Sequence, residues 1–125
     1  MTNERGHERR PAGMLEDEVL AALWTGGRPL TPADVRAALR GSPAYTTVMT
    51  TLARLHRKGL ATRIRAGRGY VYSPNVDEAS HTAAAMTDLL RRRRDHAAVL
   101  ARFVSELTPE DERVLQRLLR EEDAL

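Results

Sequence analysis

The sequence predicts a mainly α-helical chain with one small β-hairpin, and three observations carry that reading. Apolar residues recur at three- and four-residue steps over most of its 125 residues, the spacing of one helix face. Past Gly59 the spacing changes to alternation in two short runs around Gly67-Arg68-Gly69, the pattern of a hairpin. Capping residues, proline and glycine stand where one pattern gives way to the next.

Residues 1–13, MTNERGHERRPAG, are polar and charged and are broken by Pro11 and Gly13, so a flexible N-terminal tail is expected there. Arg5, Arg9 and Arg10 could touch phosphates, but a disordered leader is the plainer expectation. This stretch has neither the apolar centre nor the cleavage site of a secretory signal, and no apolar run approaches the ~18 residues needed to cross a bilayer. A cytoplasmic protein with no membrane partner is expected.

A folded module is predicted over residues 14–75. Its first helix, Met14 to Trp24, carries Leu15, Val19, Leu20, Leu23 and Trp24 on one stripe, with Glu16, Asp17 and Glu18 in the first turn, where the helix dipole favours anions. Gly26-Gly27 ends it. Thr31-Pro32-Ala33-Asp34 supplies an N-cap threonine, a proline at the first helical position and an acid three residues past the cap, so a short second helix is expected to about Arg40. Gly41-Ser42-Pro43 turns the chain.

The third helix, about Ala44 to Lys58, is expected to turn Tyr45, Val48, Met49, Leu52, Leu55 and His56 towards the core and Thr46, Thr47, Thr50, Arg54, Arg57 and Lys58 away from it. Threonine is a mediocre helix former because β-branching restricts its rotamers. Thr46, Thr47, Thr50 and Thr51 therefore cost helix stability, a cost that is easier to explain if their hydroxyls and methyls read something. Ala61 to Arg65 and Tyr70-Val71-Tyr72, joined by Gly67-Arg68-Gly69, form the hairpin, with bases along one arm and at its tip. Three helices followed by a basic hairpin make a winged helix-turn-helix, in which the third helix enters a major groove.

Residues 76–125 are expected to be helical and to serve as a dimerisation region. One segment carries Ala83, Met86, Leu89 and Leu90, a second Ala97, Val99, Leu100, Phe103, Val104 and Leu107, and a third, capped by Thr108-Pro109-Glu110-Asp111, carries Val114, Leu115, Leu118 and Leu119. The break between the first two is unmarked. With Phe103 as their one aromatic residue these helices make a thin core, and burial of Met86, Leu89, Leu90, Leu100, Phe103, Val104, Leu107, Leu115, Leu118 and Leu119 against a second copy is the economical solution.

Charge separates the two parts. Residues 1–75 hold 12 bases and 6 acids and residues 76–125 hold 8 bases and 11 acids, so +6 and −3 give the net +3. From Val35 to Val76 there is no acid at all, against eight bases: Arg36, Arg40, Arg54, Arg57, Lys58, Arg63, Arg65 and Arg68. A solvated surface usually mixes both signs, so an acid-free basic stretch that folds as a unit points to nucleic acid. The candidate contacts are Thr46, Thr47, Thr50, Arg54, Arg57 and Lys58 on the third helix and Arg65 and Arg68 on the wing. For Arg63, Arg65 and Arg68 the alternative is charge that keeps a hairpin edge soluble, and wing contact to phosphate or the minor groove is the favoured expectation. Tyr45, Tyr70, Tyr72 and Trp24 are expected to pack, and His56 to be structural. Arg91 to Arg94 form a solvated run.

The absence of cysteine excludes disulfides, thiolate metal sites and cysteine nucleophiles. His81 lies near Asp77 and Glu78, and His96 follows Asp95, but no metal or other cofactor is expected. The sequence has no glycine-rich phosphate loop, no HExxH pattern and no nucleophile elbow, and no enzyme is expected. Two other readings stay open, a winged-helix adaptor that docks acidic proteins and a regulator with an effector site between the C-terminal helices.

Ala44-Tyr45-Thr46-Thr47-Val48-Met49-Thr50-Thr51-Leu52-Ala53-Arg54-Leu55, then Lys58-Gly59-Leu60 and Gly67-Arg68-Gly69-Tyr70-Val71-Tyr72-Ser73-Pro74, resemble the signature of the penicillinase and methicillin-resistance repressors, a family that also has copper-responsive members. The likeness runs from about Leu15 to Pro74 and more weakly through Leu119. It implies a homodimeric transcriptional repressor on palindromic operator DNA with TACA and TGTA half-sites. Thr46, Thr47, Thr50 and Arg54 would face bases or phosphates, and Arg65 and Arg68 would belong to the wing. The copper-responsive members bind metal through C-terminal cysteines, which this chain lacks. In the antibiotic-responsive members a membrane-bound sensor protease triggers cleavage at an asparagine–phenylalanine bond. Arg102-Phe103 stands in the corresponding place, with the phenylalanine matching and the asparagine not.

Overall fold

The structure of the protein, a computed structural model, describes residues 13–124, so the expected tail lies outside the described residues except for Gly13. The elements run α1 (Met14–Gly26), α2 (Pro32–Ala38), α3 (Tyr45–Arg57), β1 (Ala61–Ala66), β2 (Gly69–Pro74), α4 (Glu78–Arg91), α5 (His96–Ser105) and α6 (Pro109–Ala124). They divide into two compact units, the first ending at His81 and the second starting at Thr82. No helix among the described residues is long and apolar enough to cross a membrane.

In the first unit the local signals act as their chemistry requires. α1 stops at Gly27, whose φ of 70° suits a residue without a Cβ. α2 starts with a capping box: Thr31 Oγ1 accepts from the Asp34 N–H at 3.0 Å, and Asp34 Oδ2 accepts from the Thr31 N–H at 3.1 Å. It ends at Ala38, two residues short of the expected Arg40, and Leu39 turns inward as a buried residue. Arg36 Nε donates to the Pro43 carbonyl at 2.7 Å and ties the turn that leads into α3.

The hairpin pairs antiparallel from Ala61↔Pro74 to Ala66↔Gly69. Gly67, at φ 62°, takes the first of its two central turn positions, as a II′-type loop requires. Leu30 joins it as a one-residue third strand, its N–H donating to the Tyr72 carbonyl at 2.9 Å while its carbonyl accepts from the Tyr72 N–H at 2.8 Å. Those two bonds hold the wing against the α1–α2 connection. Trp24 is only partly buried, and its Nε1–H donates to the Val76 carbonyl at 2.9 Å, with the ring of His81 5.9 Å from its own.

The core of this unit is one cluster: Val19, Leu20 and Leu23 of α1, Leu30, Val35 and Leu39, Val48, Leu52 and Leu55 of α3, and Ala61 and Tyr72 of the hairpin. The buried arc of α3 is rotated from the expected one. Tyr45 and Met49 are 44% and 45% exposed, His56 is half-buried, and Thr51 is buried instead. Facing α1, α2 and β1 at once, α3 centres its inward side on Leu55 and Val48, which leaves Tyr45 and Met49 on the flank. Thr51 can enter the core because its hydroxyl donates to the Thr47 carbonyl one turn back, at 2.9 Å. One of the four costly threonines thus has a structural use.

In the second unit α5 is capped by Asp95, which accepts from the Ala98 N–H at 3.0 Å, and α6 by Thr108, which accepts from the Asp111 N–H at 3.1 Å. Asp95 marks the break that periodicity leaves unmarked. Between residues 82 and 121 no residue is buried. Met86, Leu89 and Leu90 of α4 and Val99, Leu100 and Phe103 of α5 line an open apolar groove of about 480 Å³.

Leu52, fully buried at the centre of the first core, should be the most costly residue to truncate. Leu52→Ala is expected to remove about 2–5 kcal/mol of unfolding free energy, read from the urea midpoint of the circular dichroism transition. An unchanged midpoint would refute this account of the core.

Candidate nucleic-acid interface

The candidate interface is the side of α3 that the core leaves free. Residues a turn apart share a face, so burial of Val48, Leu52 and Leu55 carries Thr46, Thr50 and Arg57 to the opposite side. All three are exposed, as are Thr47 and Arg54 on the flank nearer α1 and Lys58 at the C-cap. The first turn holds no acid, and Ala44 at the N-cap provides no side-chain cap. The N–H groups of a helix's first turn and the positive end of its dipole favour anions. Tyr45 and Met49 widen this surface with apolar area.

On the hairpin, Ala61, Arg63 and Arg65 share the core-facing side, because alternate residues of a strand do. Arg63 is half-buried, its guanidinium carbon 4.1 Å from the centre of the Tyr70 ring, whereas Arg65 sits 5.7 Å from that ring and is exposed. Arg68 stands at the loop, also exposed. Ile64 is 66% exposed on the other side of the wing.

The segment without acids in sequence has acids beside it in space. Glu16 of α1 places one carboxylate oxygen 2.8 Å from Lys58 Nζ and the other 3.5 Å from Arg54 Nη1. Glu18 lies 3.4 Å from Arg40 Nη2. Arg57, Arg65 and Arg68 form no ion pair among the described residues. The hydrogen bond from Lys58 above all, with the charges of Lys58 and Arg54, holds the Glu16 carboxyl below the usual carboxylate range, against the opposing effect of partial burial. Glu16 was legible in sequence only as a first-turn acid, since nothing local marks a partner 42 residues away.

The remaining candidates fall apart in space or play other parts. Among the described residues no three histidine, cysteine or acidic side chains gather as metal ligands. His96 Nε2 lies 2.9 Å from the Arg93 carbonyl. Arg92 pairs with Asp88 at 2.7 Å. Arg102 and Phe103 lie within α5, one turn before its end at Ser105.

Three helices, a two-stranded wing and a third helix with a free polar face define a winged helix-turn-helix protein. The family model described as penicillinase repressor matches residues 12–121, and the chain belongs to that family of transcriptional regulators, as its third helix and wing imply. The transcriptional regulator BlaI of Mycobacterium tuberculosis is 37% identical over 117 residues, covering 90% of this chain and 85% of the relative. Among solved structures, monomeric BlaI of Bacillus licheniformis in complex with the blaP half-operator is 28% identical, covers 58% of this chain and 89% of that one, and superposes with a TM-score of 0.44. A MarR family protein from Bacillus stearothermophilus is 19% identical, with 98% and 82% coverage and a TM-score of 0.47.

The Glu16 contact makes a pH dependence. Because its folded-state pKa is depressed, the stability it adds is complete above the ordinary value of 4.5 and is lost as pH falls through the folded-state value. Asp34, held low by its hydrogen bonds with Thr31, acts in the same direction. The melting temperature should hold from neutrality to about pH 5 and then decline, and Glu16→Gln should make that decline shallower.

Proposed function

We propose that the protein is a transcriptional repressor that occupies palindromic promoter DNA as a homodimer and so excludes polymerase. The observation that supports it best is the free face of α3, where Thr46, Thr50 and Arg57 stand exposed beside Thr47 and Arg54 while the opposite side is locked into the core. Placed in a major groove, threonine methyls suit thymine methyls, their hydroxyls suit several base edges, and arginine suits guanine or phosphate. Arg65 and Arg68 on the wing, with Lys58, would reach the backbone beside that groove, and phosphate contacts of this kind orient the module.

Dimerisation is assigned to the second unit. Met86, Leu89, Leu100, Phe103, Val104, Leu118 and Leu119 are each between 43% and 58% exposed, and Leu90, Leu107 and Leu115 are half-buried. An apolar surface on that scale in water favours association, and a second copy of the same face would cover it. Release of the operator follows from loss of that dimer, through cleavage between Arg102 and Phe103 by a sensor protease or through an effector in the α4–α5 groove. The mass of the chain recovered after induction separates the two.

Fluorescence anisotropy with a palindrome of TACA and TGTA half-sites, against a random duplex, tests the DNA reading. Affinity should fall by roughly 0.9 log units per log unit of salt for each phosphate neutralised, and the palindrome should bind more tightly. Arg57→Ala should cost about 1–3 kcal/mol on the palindrome if Arg57 reads a base, or lower the salt slope by about 1 if it holds a phosphate. Unaltered affinity and slope would remove α3 from the interface, and no binding at low salt would favour the protein adaptor. Leu100→Asp, which would bury a charge between copies, should give monomers in sedimentation equilibrium where the parent is a dimer.

A further inference from the structure

Glu16 has no part in the reading above, yet it occupies two of the cations on which that reading draws. Both of its carboxylate oxygens are engaged, one by Lys58 and one by Arg54, and its side chain is only 20% exposed, packed between α1 and the last turns of α3. Arg54 and Lys58 remain 44% and 51% exposed on their outer sides. Each can therefore meet a DNA phosphate only in competition with the Glu16 carboxylate.

We propose that Glu16 is a specificity-determining residue, an internal anion that pairs with both Arg54 and Lys58 in the free protein, offsets one of their two charges, and withholds them from phosphates that approach without the correct groove fit. This rests on the DNA-binding function proposed above. Arg54 and Lys58 are about half exposed, and ion pairs open to solvent typically contribute about 0.2–1 kcal/mol, so a well-placed phosphate or guanine can displace Glu16 at small cost. A loosely placed phosphate gains less than it must displace, and non-specific binding is held down. The hydrogen bond from Lys58 at 2.8 Å is the tighter half, and Arg54 at 3.5 Å is the more readily released. Arg57, on the outer face without an ion pair among the described residues, is unaffected and provides the first attraction.

The test is the salt dependence of binding to a short random-sequence duplex, measured by anisotropy on the full chain. Glu16→Gln keeps the side-chain shape and should bind the random duplex more tightly, with a salt slope steeper by about 1–2 because up to two more cations now displace counterions. Asp17→Asn, an equal change of charge at an exposed neighbour that pairs with no base of α3, should steepen the slope distinctly less. Adding Lys58→Met to Glu16→Gln should return about 0.9 of the gain. A Glu16→Gln slope equal to the parent's, with only the melting temperature lowered, would make Glu16 a brace between α1 and α3 and overturn the proposal. Equal steepening in Asp17→Asn would overturn it too, as an effect of net charge. If the parent chain shows no salt-dependent binding to any duplex, the DNA-binding function itself fails, a result distinct from either of these.

Discussion

The inward packing of one side of α3 is the constraint from which the rest of this structure follows. Val48, Leu52 and Leu55 are almost wholly removed from water, and α1, α2 and the hairpin meet on them. Burial of three such side chains is worth several kcal/mol, far more than any single surface contact in the molecule. Once that side is committed, rotation of the helix about its axis is no longer free. The outward direction of Thr46, Thr50 and Arg57 is then set by geometry, without any interaction of their own.

The same packing brings α1 alongside α3 and gives the basic surface its acidic neighbours. A run of eight bases without an acid looks uniformly positive along the chain, yet several of its members are engaged in space. Lys58 and Arg54 face Glu16, Arg36 holds the Pro43 carbonyl, and Arg63 lies over Tyr70. Only the carboxylates offset charge, so the positive potential is least opposed at bases without an ion pair among the described residues, such as Arg57, Arg65 and Arg68. In nucleic-acid recognition electrostatic attraction sets the rate and strength of encounter, while the placement of individual donors sets discrimination.

The second unit follows the opposite logic. Its helices are well capped and amphipathic, so each is locally well specified, but together they bury no residue between 82 and 121. Caps and periodicity decide where a helix forms and which side is apolar, whereas a core needs enough surfaces facing one another. Three short helices do not provide them here.

Most of the elements were legible in the sequence because their signals are local. Thr31, Pro32 and Asp34 form the capping box that their spacing announces, Gly27 and Gly67 take left-handed backbone where glycine is cheapest, and the alternation after Leu60 gives the hairpin. The motif of α3 and the wing sufficed to indicate the family. What only the tertiary structure decided was each fact that depends on residues far apart: the inward turn of Thr51 and the outward turn of Tyr45 and Met49, set by three neighbours at once, and the pairing of Glu16 with Lys58. Helical periodicity defines a face only to within a residue or so on either flank, and a charge along the chain carries no record of the partner that folding will bring to it.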